Sequence, residues 1–227
     1  MHYQFDFSFL AQTWPTFLAG AWLTIKLTVV SIALGLALGT LCAVLRVYAH
    51  AWLGWLVGAY VEIIRNTPLL VQIFIVYFGI ASLGLKLSAE TSAVIALVIN
   101  VGAYTTEIMR AGIESIPRTQ IEAGDCLGLS RLQVVGHIVL LPAMERVYPA
   151  LTSQFVLLML ASSITSQISA EELTAVANVV QSDTYRSVEV YLVVAVVYLM
   201  LSLLYRVGFW GLGLLLFVRR RRLGTAL

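Results

Sequence analysis

The chain has 227 residues, of which 60% are hydrophobic and only 11% charged, with a formal net charge of +2. A mean hydropathy of +0.91 excludes an ordinary soluble domain and points to long apolar runs.

The first stretch, "MHYQFDFSFLAQTWP", lacks the basic region and small-residue cleavage site of a secretory signal peptide. Its aromatic side chains fit an interfacial segment that leads into a first span. Five apolar runs follow, at about residues 17–45, 53–80, 92–111, 147–168 and 188–218. Each reaches the roughly 20 residues needed to cross a ~30 Å hydrocarbon core at ~1.5 Å per residue. Backbone polar groups must be satisfied internally in lipid, so such runs form helices, and the alternation of a membrane barrel is absent. The expected fold is all-α, a polytopic helical membrane protein of about five spans in a single domain covering residues 1–227.

Five spans put the termini on opposite sides. Arg46, Arg118, Arg131 and the run Arg219–Arg222 fall on one side, with Arg110 and Arg146 near its boundary. The other side holds Lys86 and Arg186 beside Asp6, Glu90, Glu171, Glu172, Asp183 and Glu189. The positive-inside rule then places the N-terminus outside and the C-terminus in the cytoplasm. The arginine run could be read as a nucleic-acid contact. Directly after a span it reads as a topology anchor or an anionic-lipid contact, and no nucleic-acid partner is expected. Cys42 lies in the first span and Cys126 in a cytoplasmic loop, where thiols stay reduced, so no disulfide framework is expected.

Ionisable groups at membrane depth are costly and are either functional or paired. Glu62 with Arg65, and Glu107 with Arg110, share an i, i+3 spacing that lets each couple meet on one helix face. Lys26 in the first span can snorkel outward. In "RNTPLLVQIFIVYFG" of the second span, Pro68 removes an amide donor and disfavours helix at Thr67, which predicts a bend there. Gln72, Asn100, Gln154, Ser162, Ser163, Thr165 and Gln167 add uncharged polar groups in spans two to four. Singly each reads as an interhelical hydrogen bonder. As a set they read as the lining of a polar passage, with Asn100, Gln154, Ser162 and Ser163 as candidate substrate contacts.

Between the third and fourth spans, residues 112–146 form the longest polar stretch, expected to be cytoplasmic. In "PRTQIEAGDCLGL" Pro117 suits a helix start and Gly128 a helix end. In "SRLQVVGHIVLL" Ser130 suits an N-cap, followed by an apolar stripe through Leu132, Val135 and Val139. Pro142 and Pro149 mark the entry to span four. Two short helices with polar and apolar faces suit docking on a partner.

Catalytic chemistry is missing. Neither lysine, Lys26 or Lys86, sits in a glycine-rich phosphate loop, so the chain is not expected to hydrolyse ATP. His2, His50 and His137 have no i, i+4 partner for a metal site. Ser162 and Ser163 have no nearby base to activate them, which disfavours a hydrolase.

"EAGDCLG", with Ile138 and "LLP" downstream, resembles the EAA loop of permease subunits of bacterial ABC importers. "RNTPLLVQIFIVYFG", "NVGAYTTEIMRAGIESIPRTQIEAG" and "LGLSRLQVVGHIVLLP" are similar to the polar amino acid permeases, a likeness running from about Trp14 to the C-terminal arginines. The resemblance implies a non-enzymatic inner-membrane subunit with no cofactor of its own, ATP and Mg being bound by a partner ATPase. The implied partners are an ATP-binding subunit dimer, a second permease subunit (same or different) and an extracytoplasmic amino acid-binding protein. It also implies that Glu122, Ala123, Gly124 and Gly128, with Leu129 and Ser130, couple to the ATPase through the loop's first helix.

Three departures stand out. Gly124 replaces the family's second Ala, Pro142 is displaced by one position, and Leu160 and Ala161 stand where many relatives carry Lys-Asp. "SAEEL" at Ser169–Leu173 still resembles the family's extracellular gate segment. The competing reading is a non-transporting assembly subunit; a channel lacks a filter-like motif or charged ring.

Overall fold

A chain this apolar must satisfy its backbone internally, and in a computed structural model describing residues 4–217 helix is the only regular element among those residues. His2 and Arg219–Arg222 lie outside them. The helices are α1 (Leu10–Tyr48), α2 (Ala51–Arg65), α3 (Leu69–Ser82), α4 (Ala89–Glu114), α5 (Arg118–Cys126), α6 (Arg131–Ile168), α7 (Leu173–Thr184) and α8 (Ser187–Leu216). Four of them, α1, α4, α6 and α8, are long and apolar enough to cross a membrane alone; α2 and α3 together supply a fifth if they count as one span.

The α2–α3 break follows from the sequence "RNTP". Pro68 cannot donate, so the end of α2 leaves carbonyls without helical partners. The side chains just before it supply the donors. Asn66 Nδ2 donates to Glu62 O at 2.8 Å and Thr67 Oγ1 to Ile63 O at 2.9 Å. Pro68 then N-caps α3, so the second apolar run is broken between Arg65 and Leu69. Within α3, Ile75–Gly79 runs in the wider π register.

The helices fall into two compact units. Residues 4–31, 68–97 and 156–206 form the first; residues 32–67, 98–155 and 207–217 form the second. Leu27, Ile73, Ala93, Ala96 and Ile168 build a core in the first unit. There Asp6 N–H donates to Glu189 Oε1 at 3.2 Å, and Arg186 bridges to Glu189 at 3.3 Å, which ties the N-terminal segment to α8. Cys42, Val57, Val61 and Ala103 form a core in the second unit.

Lipid is as apolar as leucine, so helices in a membrane associate through close packing rather than through expulsion of water. In the second unit α1 and α4 use small residues for this. A Cβ on Gly35 would lie 2.2 Å from Val101 Cγ1; one on Gly39 would lie 2.5 Å from Thr105 Cβ and 2.7 Å from Gly102 O. The spacing Gly35-x-x-x-Gly39 is the small-xxx-small pattern of closely crossing membrane helices. Accordingly α4 is the most enclosed of the long helices, 61% of its most apolar window being buried against 22% for α8.

Span four begins earlier than its prolines suggest. α6 is continuous from Arg131 through Pro142 and Pro149. Pro142 brings no N–H, so the helix ahead of it cannot keep a complete i→i−4 ladder. Val134–Leu140 accordingly adopts π geometry.

Candidate functional site: coupling loop and polar positions

The loop of residues 112–146 lies wholly in the second unit. Its first helix, α5, starts after Pro117, whose carbonyl accepts the Gln120 N–H at 3.0 Å. Its end is a complete Schellman motif. Leu129 N–H donates to Gly124 O at 3.2 Å and Gly128 N–H to Asp125 O at 3.0 Å, with Gly128 at φ +73°. Ser130 then opens α6 with a capping box: Ser130 N–H donates to Gln133 Oε1 at 2.9 Å, and Gln133 N–H to Ser130 Oγ at 3.5 Å. Two reciprocal caps joined through Leu129 make this a short, tightly specified corner.

Gly124 sits on the inner face of α5. A Cβ there would meet Ile138 Cδ1 at 2.5 Å and Val134 Cγ2 at 3.2 Å, so α5 rests directly on the π-helical stretch of α6. Gly124, which the resemblance implies for coupling to the ATPase, is buried against α6. Glu122, Ala123, Asp125, Cys126 and Gly128 are exposed, and so is Leu127. Leu132 is 86% exposed while Val139 is fully buried, so the stripe expected through Leu132, Val135 and Val139 does not lie on one face. The π register that begins at Val134 changes the phase of the side chains after it. At the base of the loop Arg146 bonds to Ser115 O and, at 3.1 Å, to Ser115 Oγ.

Above the loop, Glu107 holds two arginines. Arg110 Nη2 donates at 2.8 Å, as the i, i+3 spacing predicts, and Arg46 of α1 makes a second ion pair. Arg110 Nη1 also reaches Glu114 at 2.8 Å. The other expected couple is replaced. Glu62 Oε2 accepts from Asn66 Nδ2 at 3.0 Å, and the Arg65 guanidinium lies 5.3 Å from the centre of the Tyr104 ring. Asn66 is held beside Glu62 by the helix-ending turn and takes its carboxylate.

The four candidate substrate contacts divide between the units. Asn100 is buried on α4 and Gln154 half-buried on α6, both in the second unit. Ser162 and Ser163 belong to the first, in a 3₁₀ stretch, Ser162–Ile168, that ends α6. Their hydroxyls donate to Met159 O at 2.7 Å and Leu160 O at 2.8 Å, leaving oxygen lone pairs free to accept. Ser162 is fully buried in this state.

Sequence reasoning placed Glu172 only within the gate-like segment "SAEEL" and among the charges of the outer side; its side chain is fully buried as the N-cap of α7. Burial pushes its carboxyl above the ordinary glutamate range, while N–H and O–H donors pull it back in part. The available signal was its place directly before the helical run "LTAVANVV".

Residues 35–210 match the family described as the binding-protein-dependent transport system inner membrane component. The chain is 37% identical over 207 residues to the octopine transport system permease protein OccM of Rhizobium meliloti, covering 87% of this chain and 84% of that protein. It is 36% identical over 201 residues to the probable glutamine ABC transporter permease protein GlnM of Bacillus subtilis, covering 88% and 93%. A crystal structure of an amino acid ABC transporter with histidines superposes with a TM-score of 0.81 at 32% identity, covering 97% of this chain and all of that one. With this family match over residues 35–210 and the matching fold, the chain belongs to the family of binding-protein-dependent transport system inner membrane components, as a permease subunit of the ABC importer type.

Proposed function

We propose that this chain lines the translocation path of an ABC importer for a polar amino acid. An extracytoplasmic binding protein delivers the cargo, and separate subunits bind ATP with Mg and drive the cycle. A second permease subunit, the same or different, completes the membrane portion. The observation that carries this reading is the loop: α5 is fixed at its start by Pro117 and at its end by two successive caps, and it presents a mixed polar and apolar surface. A corner so constrained transmits a push as a rigid body. Glu122, Ala123, Gly128, Leu129 and Ser130 make the ATPase contact, and Gly124 holds α5 on α6. Relatives named for octopine and glutamine support an amino acid cargo.

Counting α2 with α3 as one span gives five spans and termini on opposite sides; the arginine-rich side is then the cytoplasmic one, with an outer N-terminus, a cytoplasmic C-terminus and the loop beside the ATPase at the bacterial inner membrane. Asn100, Gln154, Ser162 and Ser163 contact the substrate, each when its part of the path opens. The coupling free energy rests on differential contacts in the two states of the cycle.

The test is purification from native membranes, then ATPase and uptake assays in liposomes with a panel of amino acids. Co-purification of an ATP-binding subunit, with ATPase stimulated by a binding protein and one amino acid class, is the expected result. A chain that purifies alone and shows no nucleotide-dependent uptake in any reconstitution overturns the proposal.

A further inference from the structure

Within the first unit one carboxylate joins three helices. Glu172 Oε1 accepts the Thr174 and Ala175 N–H groups of α7 at 2.9 and 3.0 Å. Its Oε2 accepts the Tyr198 hydroxyl of α8 at 2.8 Å and lies 3.5 Å from Thr24 Oγ1 of α1. Thr24 Oγ1 in turn accepts the Leu173 N–H at 3.2 Å, and Thr174 Oγ1 lies 2.9 Å from the Tyr198 hydroxyl. Below this group Thr28 of α1 meets the Tyr205 hydroxyl of α8. Capping α7 requires only Oε1; the contacts of Oε2 exceed what a cap needs. A carboxylate taken out of water is retained only where donors compensate it, and among the described residues this one is met by two backbone N–H groups and two hydroxyls rather than by a cation.

The helix that it holds is jointed at both ends. Ser169, before α7, has φ 61°, and Tyr185, after it, has φ 56°. They are the only non-glycine residues with positive φ among those described, and such backbone is strained. Strained joints persist where the surroundings over-determine them, and they cluster at switch regions. Here the over-determining contact at the Ser169 end is the Glu172 group, together with Gly20, where α1 lets the α7 backbone approach so closely that a Cβ would lie 3.0 Å from Leu173 Cα. Tyr191 Oη donates to Asn178 Oδ1 at 2.7 Å farther along α7.

We propose that Glu172 is a positioning residue for transport, a latch that fixes α7 against α1 and α8 in one state of the cycle through the Tyr198 and Thr24 hydroxyls. The proposal rests on the transporter reading above. Release of the latch lets α7 move as a rigid arm on the Ser169 and Tyr185 joints, so the strength of Oε2's bonds sets the balance between two states. Weakening it shifts that balance without removing the helix cap.

The experiment uses the intact complex with its ATP-binding subunits in liposomes, and compares wild type with Tyr198→Phe, Glu172→Gln and Glu172→Asp. Tyr198→Phe deletes the hydroxyl's contacts with Glu172 Oε2 and Thr174 Oγ1 and leaves the cap on Oε1 in place. Glu172→Gln keeps one acceptor for the cap and loses the second. Glu172→Asp keeps the charge but shortens the reach to Tyr198. The readout is ATPase per assembled complex, without and with binding protein, alongside uptake per ATP. The expected result is a rise in unstimulated ATPase of at least about fivefold in Tyr198→Phe, the population shift for loss of one net hydrogen bond of the two that the hydroxyl makes, with a matching fall in stimulation ratio and in uptake per ATP. Glu172→Gln and Glu172→Asp shift in the same direction. Unchanged ratios in Tyr198→Phe, or fewer assembled complexes with a wild-type ratio in each, overturn the latch and leave Glu172 as a structural cap. Wild-type complexes without any binding-protein stimulation overturn the transporter reading itself.

Discussion

Replacing Gly128 separates backbone strain from every other property of the loop. At φ +73° the residue occupies left-handed space, and a Cβ placed there meets nothing within 4 Å. Steric crowding is therefore not part of the cost. A non-glycine L-residue pays ~1–2 kcal/mol in this region, with Asn and Asp at the low end because their side chains bond locally. Two hydrogen bonds, from Gly128 to Asp125 and from Leu129 to Gly124, require that backbone geometry. The native corner then loses roughly 5- to 30-fold in population relative to frayed forms. If only the native corner docks, affinity for the ATP-binding subunit falls by up to the same factor, the full loss being reached where frayed forms come to dominate. Gly128→Ala lies near the upper end and Gly128→Asn near the lower, and Gly128→Asp adds a negative charge beside exposed Asp125. The assay is co-purification of the ATP-binding subunit and ATP-driven uptake in liposomes, with membrane insertion followed separately. Insertion stays normal in all three variants, and Gly128→Asp abolishes uptake. Wild-type assembly and uptake in both Gly128→Ala and Gly128→Asp refute the view that this corner is the coupling element.

Four further outcomes are expected. Gly39→Ala drives a Cβ to 2.5 Å from Thr105 Cβ and 2.7 Å from a backbone oxygen, neither of which can yield cheaply, and costs ~1–3 kcal/mol; thermal unfolding of the purified protein checks this against Gly136→Ala, which meets open space. A double-mutant cycle on Arg46→Ala and Glu107→Ala returns a coupling of ~0.5–3 kcal/mol in unfolding free energy, and a coupling of zero removes the pair from the fold's account. The Glu172 carboxyl is raised in the fold, so the native state binds its proton more tightly than the unfolded state. Its contribution to stability is present below the ordinary value of 4.5 and is lost as pH rises through the raised value. Glu172→Gln flattens this slope, and an unaltered pH profile of unfolding argues against the assignment. Asn100→Ala combined with Gln154→Ala lowers uptake while leaving ATPase assembly intact; unchanged transport by that double variant removes both from the path.

What the sequence announced was local. Helix α5 begins at Pro117 and ends at Gly128, Ser130 caps α6, and the second span breaks at Pro68, because each event depends on hydrogen bonds reaching no more than about one helical turn. Glu107 and Arg110 met for the same reason, three residues apart on one helix. Glu62 and Arg65 have identical spacing yet find other partners, since Asn66 at the helix end competes for Glu62 and Tyr104, 39 positions beyond Arg65 in the numbering, offers Arg65 its ring. Spacing states which contacts are reachable; the neighbours decide which form.

By itself, then, the amino-acid sequence determined the class, the presence of four to five apolar spans, the break in the second span and the boundaries of the loop helix. Composition and near-neighbour hydrogen bonding suffice for these. Tertiary structure alone decided that Arg46 joins Glu107 across 61 residues, that Gly124 packs against α6, and that Glu172 is buried between Thr24 and Tyr198. Each depends on which helix faces come together. In an apolar chain that choice rests on small residues and scattered hydroxyls, whose linear pattern does not reveal their partners.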